Sequence, residues 1–143
     1  MEWFCVRTPL SMEEIELVER RLNIQLPTDY KQMIGPINGG ALKDAYVKHP
    51  SIGEIAYGRN LALDENAKTN VFTLYGCIME DKRYFPFASV GNGDYFCFDL
   101  QTERVILWLH EYNEIYDICE TFTQLLQMMQ HDNWKQNEVS IEF

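Results

Sequence analysis

The chain has 143 residues, of which 46% are hydrophobic, so it is long enough for one packed domain and too apolar to be mainly disordered. No apolar run approaches the roughly 18–20 residues of a membrane span, and the N-terminus lacks the pattern of a signal peptide. The net charge of −10 argues against direct binding of nucleic acid, which requires clustered lysine or arginine. We therefore expect one domain over residues 1–143, located in the cytoplasm, with no membrane contact.

The acidic side chains are concentrated toward the C-terminus. Residues 1–91 carry ten basic and twelve acidic side chains, whereas residues 92–143 carry two basic and ten acidic ones. This distribution favours a basic protein partner, because opposite potentials accelerate encounter and help to exclude wrong partners. The alternative is that the acidity serves only solubility.

Two helices are predicted before residue 41. Ser11-Met-Glu-Glu14 is a capping-box pattern, and the apolar spacing after it predicts a helix over residues 12–22. Pro27 suits the first turn of a second helix, because the amide at that position would be unpaired anyway. Gly35-Pro36 interrupts the second helical pattern, and Asn38-Gly39-Gly40 ends it.

The central part of the chain gives weaker signals. Residues 41–58 have no clean helical period, and short strands are predicted near residues 41–46 and 52–56. Val71, Leu74, Tyr75 and Ile78 return to helical spacing, although Gly76 weakens the pattern.

Three consecutive strands are predicted over residues 84–90, 94–100 and 105–110. Asn92-Gly93 joins the first two, and this dipeptide is typical of hairpin turns because both residues tolerate positive φ. Alternation in the middle strand places Phe96, Phe98 and Leu100 on one face and Tyr95, Cys97 and Asp99 on the other.

A closing helix is predicted over residues 120–131, and the tail from Asn133 is either a frayed end or a final edge strand. Helices, then an antiparallel meander, then a helix predict an α+β domain. We expect the N-terminal helices and the C-terminal helix to cover one face of the sheet and to leave the other partly open.

No motif for catalysis or cofactor binding is found. His110-Glu-Tyr-Asn-Glu114 lacks the second histidine of the zinc motif His-Glu-x-x-His. Gly91-Asn-Gly-Asp94 lacks the lysine and the following helix of a phosphate loop, and a hairpin turn explains its glycines. No Gly-x-Ser-x-Gly elbow occurs. We therefore expect no catalytic, cofactor-binding or metal-binding residues and no enzymatic activity.

The four cysteines, Cys5, Cys77, Cys97 and Cys119, are far apart and include no Cys-x-x-Cys pair. In the absence of an export signal we expect them to be reduced. We expect all of them to serve as small structural residues, because free cysteine is commonly buried.

Several spaced segments together resemble the SUKH superfamily of Smi/Knr-like proteins. The opening part is Leu26-Pro27-x-x-Tyr30-Lys31 followed by Asn38-Gly39-Gly40. The central part is Phe87-Ala88 through Gly93-Asp94 and Tyr95-Phe-Cys-Phe-Asp99. The closing part is Val105, His110-Glu111 and Thr121-Phe122-x-x-Leu125-Leu126, so the resemblance covers roughly residues 11–129.

The resemblance implies an α+β domain without catalysis. Many bacterial members are immunity proteins that neutralise a cognate polymorphic toxin, often a nuclease, whereas fungal relatives are interaction modules in cell-wall and signalling regulation. The leading hypothesis is therefore an immunity protein that binds a basic toxin, with nuclease as the expected toxin class. A regulatory scaffold and a small-ligand binder, with a pocket between helices and sheet, are the alternatives.

An acidic surface would mimic the phosphate charge that attracts a basic nuclease. Exposed charge pairs contribute only about 0–1 kcal/mol each, so desolvated anchors are also needed, and tyrosine is favoured in that role. The residues expected to contact the partner are Asp94, Tyr95, Glu111, Tyr112, Glu114, Tyr116 and Asp117. The alternative for each is a structural role, because tyrosines are often half-buried.

Overall fold

The computed structural model of the chain describes residues 1–131, so the prediction for the tail from Asn133 lies outside the described residues. The helices are α1 (Met12–Leu22), α2 (Thr28–Ile34), α3 (Val71–Leu74) and α4 (Phe122–Met128), with a 3-10 turn at Gly35–Ile37. The strands are β1 (Ala45–His49), β2 (Gly53–Ala56), β3 (Arg59–Asn60), β4 (Tyr84–Gly91), β5 (Asp94–Asp99), β6 (Val105–Leu109), β7 (Glu114–Cys119) and β8 (Gln130–His131).

The strands form two antiparallel sheets. The larger sheet has the order β3-β4-β5-β6-β7, and the smaller has the order β2-β1-β8. The meander β4-β5-β6 coincides with the three predicted strands to within a residue at each end. The predicted α+β class, with helices packed on an antiparallel sheet, is confirmed.

The N-terminus of α1 is fixed by local hydrogen bonds. The backbone amide of Glu14 donates to Ser11 Oγ at 3.2 Å, and the amide of Ser11 donates to Glu14 Oε1 at 3.0 Å. Ile15 and Val18 are the buried residues of the helix. The capping box and the predicted bounds of residues 12–22 are therefore confirmed.

The chain at the end of α2 packs tightly against the N-terminal segment. A Cβ atom at Gly35 would lie 2.5 Å from the carbonyl oxygen of Leu10, so only glycine fits at this position. The chain continues from Gly35 as a 3-10 turn and reaches Asn38, whose buried side chain accepts a hydrogen bond from the amide of Leu63 at 2.9 Å. Asn38 therefore ties the end of this helical segment to the loop after β3.

The main core lies between α1, α2 and α4 and one face of the larger sheet. The rings of Phe87 and Phe98 stack with centroids 4.0 Å apart. Tyr30 meets Phe98 edge-on at 5.0 Å and Phe122 at 5.2 Å. Phe96 and Phe98 face this core as predicted, which places the apolar alternation of β5 under the helices.

The hydroxyl of Tyr30 is fully buried and has no hydrogen-bond partner among residues 1–131. We expect Tyr30→Phe to raise the free energy of unfolding by about 1 kcal/mol, because a buried hydroxyl without a partner is destabilising. Tyr57→Phe is the matched control, since the Tyr57 hydroxyl donates to Asn60 Oδ1 and its loss leaves that acceptor unpaired. Urea denaturation should show a higher free energy of unfolding for Tyr30→Phe and a lower one for Tyr57→Phe. Destabilisation of both variants would contradict the prediction.

The opposite face of the larger sheet is partly covered. Met79, Cys97, Ile106 and Trp108 form a second buried cluster there, and the segment after α3 supplies Met79. We call this the outer face. The expectation that Cys97 is a core residue is confirmed, and Cys119 is also buried. The expectation of burial is wrong for Cys5 and Cys77, which are exposed.

Three other predictions need correction. The first central strand is β1 at Ala45–His49 rather than residues 41–46, and Ala41 forms only isolated bridges. The helix predicted around residues 71–78 is a single turn, because the backbone is already extended at Tyr75 and Gly76 then takes a positive φ of 77°. The closing helix is shorter than residues 120–131, since Thr121 caps it and residues 130–131 pair with β1.

Candidate functional site

Most of the predicted contact residues lie on the hairpin formed by β6 and β7. The predicted elements include no strand between residues 110 and 120, whereas the structure places residues 114–119 in β7, the edge strand of the larger sheet. Trp108 pairs with Ile115, and Leu107 pairs with Tyr116. Because side chains alternate along a strand, the predicted residues are divided between two faces of β7.

Asp94 links the β4–β5 hairpin to the β6–β7 hairpin. Its carboxylate accepts a hydrogen bond from the backbone amide of His110 at 2.9 Å and lies 2.7 Å from His110 Nδ1. Gly93 packs close to the same ring, because a Cβ there would lie 3.2 Å from Nδ1. The β4–β5 turn and the β6–β7 turn are thus held together, so Asp94 shares one surface with Glu111, Tyr112 and Glu114.

The solvent-exposed part of this surface is acidic. Tyr112 is 74% exposed at the turn, and Glu111 and Glu114 are exposed beside it. Neither glutamate forms an ion pair with any residue in the described range 1–131. We call Asp94, Glu111, Tyr112 and Glu114 the tip surface.

Tyr116 and Asp117 have partners within the fold. The Tyr116 hydroxyl donates to Glu114 Oε2 at 3.0 Å, and this bond raises the pKa of the phenol. The Tyr116 ring meets His49 at the end of β1, with ring centroids 5.9 Å apart. Asp117 accepts two hydrogen bonds of 2.7 Å from Arg104, which lower the pKa of the carboxyl. Asp117 is therefore already neutralised within the hairpin.

Tyr95 lies on the outer face, away from the exposed tip. Its ring stacks with Trp108 at a centroid distance of 6.4 Å. Strand pairing aligns Arg59, Ser89, Tyr95, Trp108 and Ile115 in one row across all five strands. Directly opposed residues of antiparallel strands share a face, so this row runs from β3 to β7 across the outer face.

A groove of about 620 Å³ opens at the β7 end of this row. Trp108, Ile115 and Met79 supply apolar side chains, while Glu80 and Asp81 supply carboxylates. We call this the outer groove. The sequence prediction did not include Glu80 and Asp81, because only the course of the segment after α3 brings them beside Trp108. Their signal in the sequence is a short acidic pair just after the weak helical pattern of residues 71–78.

No group of three or more histidine, cysteine, aspartate or glutamate residues arranged to hold a metal ion occurs within residues 1–131. In the same part of the chain, no helix is both long enough and apolar enough to cross a membrane.

Comparison with known proteins identifies the family. No curated protein matches the chain. The SUKH_6 family model, described as SMI1-KNR4 cell-wall, matches residues 12–126. The SUKH family is known generally as a family of non-catalytic immunity or structural domains. The matched region coincides closely with the segment that carries the motifs, from the α1 capping box to α4. The chain therefore belongs to the SUKH superfamily, as the spaced motifs predict.

Proposed function

We propose that the protein is an immunity protein that binds a basic nuclease toxin one-to-one and neutralises it without catalysis. Membership of the SUKH family supports this proposal. The observation that carries it is the tip surface, where Glu111 and Glu114 flank the exposed Tyr112 without ion-pair partners in the described part of the chain. Such a surface presents free negative charge beside an aromatic anchor.

The charges and the apolar groups have different tasks in this proposal. Unpaired carboxylates attract a basic partner over several ångströms and accelerate association, but each exposed pair adds only about 0–1 kcal/mol. Affinity must come from buried contacts. Tyr112 at the tip and Ile115, which is 42% exposed beside the outer groove, are the side chains with apolar area to bury.

The acidic residues of the outer groove extend the same surface. Glu80 and Asp81 lie beside the apolar floor formed by Trp108 and Ile115. A partner that inserts an apolar side chain flanked by lysine or arginine would match both features. Asp117 contributes less than Glu111 and Glu114 to the attraction of a basic partner, because Arg104 already pairs with it.

All four cysteines are free, which supports action in the reducing cytoplasm. The nuclease toxin would act on nucleic acid in that compartment, so the immunity protein would meet it there.

The test is co-expression with the product of the adjacent gene. We expect the two chains to copurify as a one-to-one complex, and the toxin to lose its nucleolytic activity in that complex. A Tyr112→Ala, Glu111→Gln variant should lose the complex while keeping its melting temperature, because neither side chain is buried. Absence of binding to the neighbouring product and to a panel of basic nucleases would contradict the proposal.

A regulatory scaffold is the second candidate, because the matching family model is described by its relation to the cell wall. It would use the same tip surface without inhibiting an enzyme. The adjacent gene discriminates between the candidates: a long reading frame with a variable C-terminal domain supports immunity, and a cell-wall or signalling gene supports the scaffold.

A further inference from the structure

A second cavity, of about 610 Å³, lies at the β3 end of the outer face. Tyr95 lines it, and the outer groove lies at the opposite, β7 end of the same face. We call this second cavity the β3-edge cavity. The N-terminal segment, β3 and the loop after β3 form its walls. Arg7, Arg59 and Lys68 line it together with the hydroxyl-bearing residues Thr69, Ser89 and Tyr95. Its volume is in the range of ligand pockets, which is about 300–1,000 Å³.

The charge of this cavity is opposite to that of the whole chain. The protein carries 22 acidic and 12 basic side chains, yet no carboxylate lines the cavity. Arg7 donates to Asp64 at 2.8 Å and 3.1 Å and is thereby neutralised. Arg59 and Lys68 form no ion pair with any residue from 1 to 131. Two cations without ion-pair partners at one cavity favour the binding of an anion there.

The backbone at the cavity is held in unusual conformations. Cys5 has a φ of 54°, in the left-handed region that residues other than glycine rarely adopt. Hydrogen bonds of 3.0 Å and 2.9 Å between Phe4 and Ala41 fix the chain immediately before it. Strained residues persist where surrounding structure enforces them, and they are concentrated at ligand sites.

The Asn-Gly-Gly motif also has a role at this cavity. Gly39 has a φ of 69°, and a Cβ at this position would lie 2.7 Å from Arg7 Cδ. The side chain of Arg7 therefore lies across Gly39 and reaches Asp64, to which Asn38 also donates at 3.0 Å. The motif packs the cation of Arg7 into the cavity wall.

The cavity also has an apolar and aromatic part. Leu61, Ala62 and Ala67 supply aliphatic surface, and Tyr95 supplies an aromatic side chain. Aromatic side chains stack on flat rings, and arginine binds phosphate through paired hydrogen bonds. We propose that the β3-edge cavity binds a small ligand that combines a phosphate with a flat ring, namely a mononucleotide. Arg59 and Lys68 contact the phosphate, and Tyr95 contacts the base.

Calorimetric titration of the full chain with AMP, adenosine and inorganic phosphate tests this proposal. We expect AMP to bind at least about tenfold more tightly than adenosine, because charge-assisted hydrogen bonds to phosphate are lost in the nucleoside. Arg59→Gln and Lys68→Gln should each weaken AMP binding by about tenfold or more. Arg20→Gln, which removes an exposed arginine of α1, is the matched control and should leave AMP binding unchanged.

Absence of AMP binding at about 10 mM would overturn the proposal whether or not phosphate binds, since that limit excludes even millimolar affinity. Equal weakening by Arg20→Gln would also overturn it, because it would show attraction to overall charge rather than to the cavity.

The native cysteines provide a measurement that needs no variant. Cys5 lines the cavity and is exposed, whereas Cys77 is exposed elsewhere. We expect AMP to slow alkylation of Cys5 by iodoacetamide and to leave Cys77 unchanged, as read by mass spectrometry of the two peptides. Equal rates with and without AMP at Cys5 would contradict binding at this cavity.

Discussion

Reversing the two unpaired charges of the tip surface is expected to slow association with the toxin by about tenfold or more. The variant is Glu111→Lys with Glu114→Lys. Both carboxylates are exposed, and neither pairs with a cation within residues 1–131, so their field is available to a basic partner. Stopped-flow or surface plasmon resonance at two salt concentrations should show a lower association rate and a weaker dependence on salt.

The control for this experiment is Glu2→Lys with Glu16→Lys, which changes the net charge equally on the N-terminal segment and α1. We expect a much smaller change in association rate for this variant. Equal slowing by both variants would mean that the net charge of the protein, and not the tip surface, steers the toxin. An unchanged rate in the tip variant would exclude this surface.

The variant Phe98→Ala is expected to lower the free energy of unfolding by about 3–5 kcal/mol. The Phe98 ring is fully buried and contacts Phe87, Tyr30 and Phe122, so truncation leaves a cavity among rings that cannot all move to fill it. Since total stabilities are about 5–15 kcal/mol, this loss would bring a domain of this size close to unfolding. Urea denaturation followed by circular dichroism measures the effect.

The variant Phe4→Ala is the matched control, because the Phe4 ring is 47% exposed and its backbone bonds to Ala41 remain. We expect it to lower the free energy of unfolding by less than about 1 kcal/mol. The loss in free energy of unfolding for Phe98→Leu should lie between those of the two alanine variants, since leucine refills part of the volume. If Phe98→Ala and Phe4→Ala lower the free energy of unfolding equally, the aromatic cluster does not hold the fold together.

The elements predicted correctly are those with local determinants. The bounds of α1 follow from Ser11 and Glu14, which bond to each other three residues apart. The β4–β5 hairpin follows from Asn92-Gly93, where both residues take positive φ. The strand β7 has no such signal, because its acidic and exposed residues suggest a loop, and only pairing with β6 makes it a strand.

The candidate site was predicted less completely than the fold, because it depends on contacts between distant positions. The bond from His110 to Asp94 joins residues 16 positions apart, and the bond from Arg7 to Asp64 joins residues 57 apart. No periodicity encodes such pairs. The row from Arg59 to Ile115 likewise requires the register of four strand pairings, which the sequence alone does not specify.

The link between Asp94 and His110 has a consequence for how partners are accommodated. Because the two turns are already fastened in the free chain, less conformational entropy is lost when a partner binds there. The fastening uses Asp94 and the backbone of residue 110, whereas the side chains of Glu111 and Tyr112 point to solvent and support no core contact. Substitutions at those two positions can therefore change the partner while the scaffold stays the same, which allows recognition to diversify without a cost in folding.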